Sequence, residues 1–445
     1  MTQAIDPQAI NQFQADLQKL PAAPALQNSV AHNGIFKSSL TLKSQAAMSP
    51  TFSIELDTGK VADQQRSGMC WIFAALNTLR HPMQNKFKLK DFELSESYMF
   101  FWDKLEKSNY FYENIIKTAA LPLGDRKVDF LLATPQQDGG QWDLVCALFD
   151  KYGVVPKSVM PDTANRTNSA DLNKVLNLKL RKDAIQLRQL VKDQVPETQV
   201  QSHKEQMLSE VYRILVLALG QPPVKFDWSY RDDDQVYHTE HDLTPLTFYQ
   251  KYIGMDLSQY ISTINSPTAD KPYNEVYTVE MLGNVVGGRQ VRHLNLDLKT
   301  FKEAAIKQLK NGEAVWFGSD VSQMAERQSG ILDTDIYDLQ SLFNIDFNLT
   351  KAQRLDYAES LMNHAMVLTG VDLDDQGKPR KWKVENSWGE KVGTKGYFVM
   401  SDAWFDQFVY QLVINKQYLS DELNQIYDQA SAHVLAPWDP MGSLA

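Results

Sequence analysis

Cysteine is almost missing from this chain: two thiols, Cys70 and Cys146, in 445 residues. A secreted chain of that length would usually carry more, so the composition suits a reducing compartment in which a thiol stays free, and a disulfide between the two is not expected. Long apolar runs are missing too. The longest, such as Ile214 to Leu219, fall far short of a bilayer's thickness. The opening residues MTQAIDPQAINQF have no basic stretch followed by an apolar one and are not expected to act as a secretory signal. Instead Asp6 and Pro7 read as the N-cap and first position of a helix. Ile10, Phe13, Leu17 and Leu20 share one face, which predicts a structural helix. Positive charge is in deficit: the formal net charge of −10 argues against the whole surface binding nucleic acid. There is no tandem repeat and no low-complexity tract. What remains is an ordinary folded composition, 43% hydrophobic and 11% aromatic, long enough for two or three domains or for one core with a large insertion.

Three regions differ in character. Residues 1–165 hold the Cys70 segment and the pair Gly139–Gly140. Residues 285–436 hold short β-like runs: Ala314–Phe317, Ala365–Thr369, Lys381–Val384 and Gly396–Val399. Between them, Leu172, Val175, Leu176, Leu180, Leu187, Leu190 and Val191 recur at helical spacing up to Lys192. A second helical run is expected from about His203 to Leu219, closed by Gly220 and the prolines beyond it. These helices suggest an inserted subdomain over 166–284. Its titratable residues form no nucleophile-and-base pair. Residues 437–445 make a stiff C-terminal arm with two prolines and a tryptophan, Trp438, suited to anchoring.

The chemistry concentrates in Gln64-Gln-Arg-Ser-Gly-Met-Cys70-Trp-Ile-Phe-Ala-Ala-Leu. After Gly68 the sequence turns apolar and helix-compatible, which puts Cys70 in the first turn of a buried helix. Unpaired backbone N–H groups and the helix dipole there favour a thiolate, the reactive form. Gly68 permits an unusual turn just before it. A lone buried cysteine is more often a core thiol than a nucleophile. A nucleophile needs a base, and the base needs an orienter. His364 stands at the approach to the strand Ala365–Thr369, and Asn386 follows the strand Lys381–Val384. A polar turn over 372–380 would fold the two into a hairpin, bringing His364 and Asn386 to neighbouring strand ends.

The Gln-x5-Cys-Trp string, the His-Ala pair and Glu-Asn-Ser-Trp-Gly resemble the papain-like cysteine peptidases. MLSEVYRILVLALGQPP, YNEVYTVEMLGNVVGGR, GEAVWFGSDV, SLMNHAMVLTGV, VENSWGE and the ending PWDPMGSLA resemble, more narrowly, the bleomycin hydrolase and aminopeptidase C branch. The resemblance covers nearly the entire chain and is weakest before about residue 45. It implies an α+β, two-lobed papain-like fold: a helical lobe with Cys70, an antiparallel β lobe with His364 and Asn386, and the cleft between. It implies Cys70 as nucleophile, His364 as base and Asn386 as orienter. Gln64 becomes the oxyanion-hole side chain, with Gln65 one residue short of the pattern, and Trp388 the shield of the His–Asn contact. Gly139 and Gly140 become a cleft wall against which substrate lies. It also implies that the arm enters the cleft of its own subunit, so that the Ala445 carboxylate meets a substrate's α-amino group. The activity implied is release of N-terminal residues from peptides, with no cofactor and no metal, in a cytoplasmic homohexamer joined through the inserted, hook-like region.

One departure stands out: Met69 occupies a position commonly arginine in that branch, which keeps a cysteine endopeptidase as the alternative. Other readings are weaker. Nucleic-acid binding would need a basic patch over Lys179, Arg181, Lys182 and Arg188. An inactive scaffold conflicts with the presence of all the catalytic positions. A metallopeptidase has only the pair His238 and His241, without an evident third ligand.

Overall fold

The computed structural model describes residues 4–89 and 92–445. Its organising element is the helix Cys70–Phe87, in which every residue from Cys70 to His81 is buried. A helix buried on all sides needs packing partners on all sides, and this one has helices on one side and, on the other, one face of a sheet through Trp316, Ala365 and Val367. One core gathers Trp71, Phe73, Leu76 and Leu79 with the helices Glu96–Lys117 and Trp142–Tyr152. The other is built on a sheet, around Phe317, Met366, Leu368, Trp382, Val384 and Trp404.

Through its centre that sheet runs Tyr260–Ile264, Val409–Asn415, Val315–Ser319, His364–Leu373, Pro379–Glu385, Tyr397–Ser401, with antiparallel pairing throughout this stretch. All four expected strands are present, each within a few residues of its predicted bounds. The hairpin His364–Leu373/Pro379–Glu385 pairs Val367 with Glu385 and Leu368 with Val384. Its turn closes through the Asp374 amide donating to the Lys378 carbonyl at 2.9 Å. Buried polar contacts help to tie the lobes together. The Arg80 guanidinium meets the Glu385 carboxylate at 3.0 Å, both buried, and the Trp316 indole N–H donates to the Trp71 carbonyl at 3.2 Å.

The segment 166–284 is not helical throughout. The helices Ala170–Lys192 and Glu197–Leu219 pack on the helix Glu96–Lys117, and a hairpin Phe226–Arg231/Tyr237–Leu243 follows. From Tyr260 onward, however, the chain is already part of the main sheet. The second helix begins at Glu197 rather than near His203, because Pro196 supplies its N-cap position and the backbone turns helical at once. The N-terminal helix Pro7–Gln18 forms as expected, with the Asp6 carboxylate accepting from the Gln8 amide at 2.8 Å. Its apolar face is not covered: Phe13 and Leu17 remain 59% and 58% exposed.

His293, in the strand His293–Asn295, is buried, with Nδ1 2.7 Å from the Ser262 hydroxyl. Burial holds its imidazole down at about 4. An unfolded histidine takes a proton near 6.5, so between those values the unfolded chain binds more protons and stability falls as pH falls. His81 and His364 act in the same direction. His293→Gln is expected to remove up to about 3 kcal/mol of the acid destabilisation between pH 7 and 4. Urea midpoints across that range check it, and unchanged slopes would contradict it.

Candidate active site

The first turn of the Cys70–Phe87 helix brings the Cys70 sulfur under the start of the strand His364–Leu373, where the Ala365 amide donates to Sγ at 3.4 Å. Cys70 is 2% exposed. Burial pushes its thiol up to about 11, while the amides of Ala365, Trp71 and Cys70 pull it down and Asp138 adds to the rise. The helix terminus therefore acts in the direction the sequence predicts, but desolvation outweighs it. His364 is pushed down to about 4 by burial, against the pull of its bond to Asn386 and with a further push from Arg327. Burial thus works against the charged form of both the thiol and the imidazole.

The hairpin carries His364 and Asn386 to adjacent strand ends, with Nε2 of His364 2.8 Å from Oδ1 of Asn386. That oxygen also accepts the Ser387 amide at 2.8 Å. A backbone amide can only donate, so the atom is the carbonyl oxygen of Asn386 and Nε2 carries the ring proton. Nδ1 is left with the lone pair a base requires. Trp388 lies against the ring, centroids 4.9 Å apart, and the Arg327 guanidinium lies 4.3 Å from the indole centroid.

Gln64 is buried at the same junction. Its main-chain N–H donates to the Ser387 carbonyl at 2.8 Å, its Oε1 accepts the Ser387 hydroxyl at 2.5 Å, and its Nε2 donates to the Ser67 carbonyl at 2.7 Å. One Nε2 hydrogen remains for an oxygen in the cleft. Gln65 instead is exposed, on a left-handed backbone at φ 55°, which removes it as the competitor. Ser387 carries no signal of its own in the sequence, although it stands inside the Glu-Asn-Ser-Trp-Gly string.

Asp138 is a further residue of the site that the sequence does not single out. Its carboxylate accepts the Gly68 amide at 3.1 Å, the Asn173 side chain at 2.7 Å and the Ser169 hydroxyl, and pairs with the buried Lys104 at 2.7 Å. Burial opposes its charge, but Lys104 and these bonds outweigh burial and hold it well below the usual carboxylate range. Gly68 is required by proximity rather than by an unusual turn: a Cβ there would sit 2.9 Å from the Asp138 Cβ. A lone acidic residue beside Gly-Gly offers no periodic or motif signal, so only the fold reveals it.

The two glycines serve different neighbours. A Cβ on Gly139 would fall 2.8 Å from both the Ala445 oxygen and the Leu444 Cβ, and one on Gly140 would fall 2.5 Å from the Trp71 indole. Gly140 thus admits a core ring, while Gly139 faces the C-terminal arm. That arm pairs with the wall as a strand would: Gly140 N–H to Ala445 O and Ala445 N–H to Gly140 O, both 3.1 Å. At its base, Arg126 stacks on Trp438 at 3.8 Å and Lys271 pairs with Asp439 at 3.0 Å.

Other candidate groups are dispersed. His238 and His241 pair separately with Asp232 and Asp227. Cys146 is a buried free thiol in the helix Trp142–Tyr152. Of the basic set, Lys179 is paired with Asp183 and Glu210, Arg181 caps the carbonyls of Leu132 and Ala133, and Arg188 is buried against those of Thr118 and Leu121.

The sequence profile of the Peptidase C1-like family matches residues 4–442. The chain belongs to this family. Aminopeptidase C of Lactobacillus delbrueckii subsp. lactis is 57% identical over 447 residues, covering 100% of this chain and 99% of its own. Aminopeptidase C of Streptococcus thermophilus is 56% identical, over 95% of this chain and 94% of its own. The crystal structure of PepW from Lactobacillus rhamnosis HN001 superposes with a TM-score of 0.98 at 64% identity, over 100% of both chains. The fold of this C1-like peptidase is accordingly the two-lobed α+β, papain-like one. In it Asp138→Ala is expected to cost about 3–5 kcal/mol of stability, because Lys104 is left buried without its counter-charge. Chemical denaturation measures this, and a loss below about 1 kcal/mol would show that Lys104 finds another partner.

Proposed function

We propose that this C1-like peptidase is a cysteine aminopeptidase that releases N-terminal residues from peptides through an acyl-enzyme. Cys70 gives its proton to Nδ1 of His364 and its sulfur attacks the scissile carbonyl. The carbonyl oxygen, now negative, is held by the free Nε2–H of Gln64 and the Cys70 amide. The C–N bond breaks as His364 returns the proton to the leaving amine, and water activated by the same ring then hydrolyses the thioester. Asn386 keeps the ring in the tautomer that leaves Nδ1 bare, and Trp388 keeps water off that bond.

The observation that carries the exopeptidase reading is the arm. Ala445 pairs with Gly140, which abuts the ring of Trp71 next to Cys70; on this reading the arm fills one side of the cleft and a substrate chain extends only to the other. The Ala445 carboxylate then faces the position of the substrate's α-ammonium. The names of the aminopeptidase C relatives support the same reading. Met69, fully buried at the helix N-cap, is the residue that keeps the endopeptidase alternative open for test.

We also propose that the chain works in the cytoplasm as a homohexamer. Val175, Leu178 and Ile185 form an exposed apolar stripe on the helix Ala170–Lys192, the outer face through which copies would meet. The active sites would then open on an internal chamber that admits short or unfolded peptides.

Under reducing conditions one peptide is offered with a free and with an acetylated N-terminus, beside Cys70→Ala and a variant lacking Ala445. The expected result is stepwise release from the free form alone, none by Cys70→Ala, and internal cleavage of the blocked form once Ala445 is gone. Internal cleavage of the blocked form by the intact chain would establish the endopeptidase reading instead. Gln64→Ala is expected to lower kcat about 10²–10³-fold with little change in KM. A raised KM at unchanged kcat would remove Gln64 from the oxyanion hole.

A further inference from the structure

Gln141 follows Gly140 and is fully buried. It stands at the N-cap of the helix Trp142–Tyr152, yet its side chain does not cap that helix. Both Nε2 hydrogens go to the arm instead, one to the Met441 carbonyl at 3.0 Å and one to the Ser443 carbonyl at 2.7 Å. These carbonyls flank the end of the 3-10 turn Pro440–Gly442, the last bend before the tip. Among the described residues no other side chain from outside the arm hydrogen-bonds to residues 440–445. The remaining polar support of the tip is the main-chain pair between Gly140 and Ala445, beside the burial of Met441 and Ala445 in the core.

The Gln141 amide cannot be turned over, because two carbonyls demand a donor. Its own Oε1 is left buried without a partner. An apolar side chain of the same volume would pack there without that unpaired acceptor, so packing does not account for the glutamine. Holding the arm does.

We infer that Gln141 is the positioning residue that sets the reach of the arm and, through it, the preference for a free N-terminus; the inference rests on the proposed role of Ala445. An extended chain advances roughly 3.3 Å per residue. A tip released from its clip therefore need slip by only one residue to carry its carboxylate away from the substrate's ammonium group. The anchors at Trp438 and Asp439 lie upstream of the bend and cannot prevent this.

The test compares the full chain, Gln141→Met, which keeps the volume and removes the donor, and the variant lacking Ala445. Each is assayed for kcat and KM on the free and acetylated forms of one peptide. Carboxypeptidase release of Ala445 and Leu444 from the folded proteins reports the freedom of the tip. For Gln141→Met the expected result is a KM on the free peptide raised at least tenfold, and kcat within about threefold. Cleavage of the acetylated form is expected to rise at least tenfold, and tip release to be faster. A lowered kcat with the acetylated peptide still refused would mark a purely structural role and overturn the clip. Wild-type selectivity and tip release in Gln141→Met, with selectivity lost in the Ala445 deletion, overturn the clip and leave the carboxylate gate standing. Wild-type selectivity in the deletion as well overturns the gate, and the clip with it. If Gln141→Met folds poorly, Gln141→Asn, which keeps an amide too short to reach both carbonyls, is read by the same two measurements, and each result bears on the clip in the same way.

Discussion

The cleft depends on the burial of one helix from all sides. From Cys70 to His81 every residue is buried, so the helix is clamped between the neighbouring helices and the sheet face that carries Trp316, Ala365 and Val367. Apolar packing at crystal-like density allows little play, and the buried Arg80–Glu385 pair adds a polar lock between the helix and the strand that ends one residue before Asn386. Cys70 is thus positioned by two packed surfaces rather than by a loop. The same packing dictates its glycines: Gly68 and Gly140 are small because Asp138 and Trp71 lie too close to admit a Cβ.

Around that helix the polar groups form a connected chain. Ser387 gives its amide to Asn386 Oδ1 and its hydroxyl to Gln64, and Asn386 thereby determines the tautomer of His364. Across the cleft Asp138 ties the Gly68 amide to Lys104 and to the start of the helix Ala170–Lys192. Breaking such a buried network is costly.

Burial has a consequence for the chemistry. It pushes the Cys70 thiol up and the His364 ring down, which works against the charged form of each. In the proposed mechanism the amides at the helix start and the Gln64 side chain meet the developing charge without reorganising. The arm contributes to that dryness, since it lies along the wall beside Gly139 and Gly140.

Much of this was legible in the residues. The helix after Gly68, the strands carrying His364 and Asn386, and the polar turn between them follow from hydrophobic periodicity and turn composition, which are local properties. The motif strings pointed to Cys70, His364, Asn386, Gln64 and Trp388 and to the papain-like fold. What periodicity cannot carry is distance. Whether Gln64 or Gln65 turns inward, which ring Gly140 admits, and that Asp138 and Gln141 hold the loop before Cys70 and the arm are contacts between segments up to about 300 residues apart. The N-terminal helix shows the limit from the other side: its amphipathic pattern predicted the element, but not that Phe13 and Leu17 would stay uncovered. The sequence by itself determined the elements and the residue types of the site. The tertiary structure alone decided their partners and their protonation, because both depend on burial and on neighbours that only folding brings within a few ångströms.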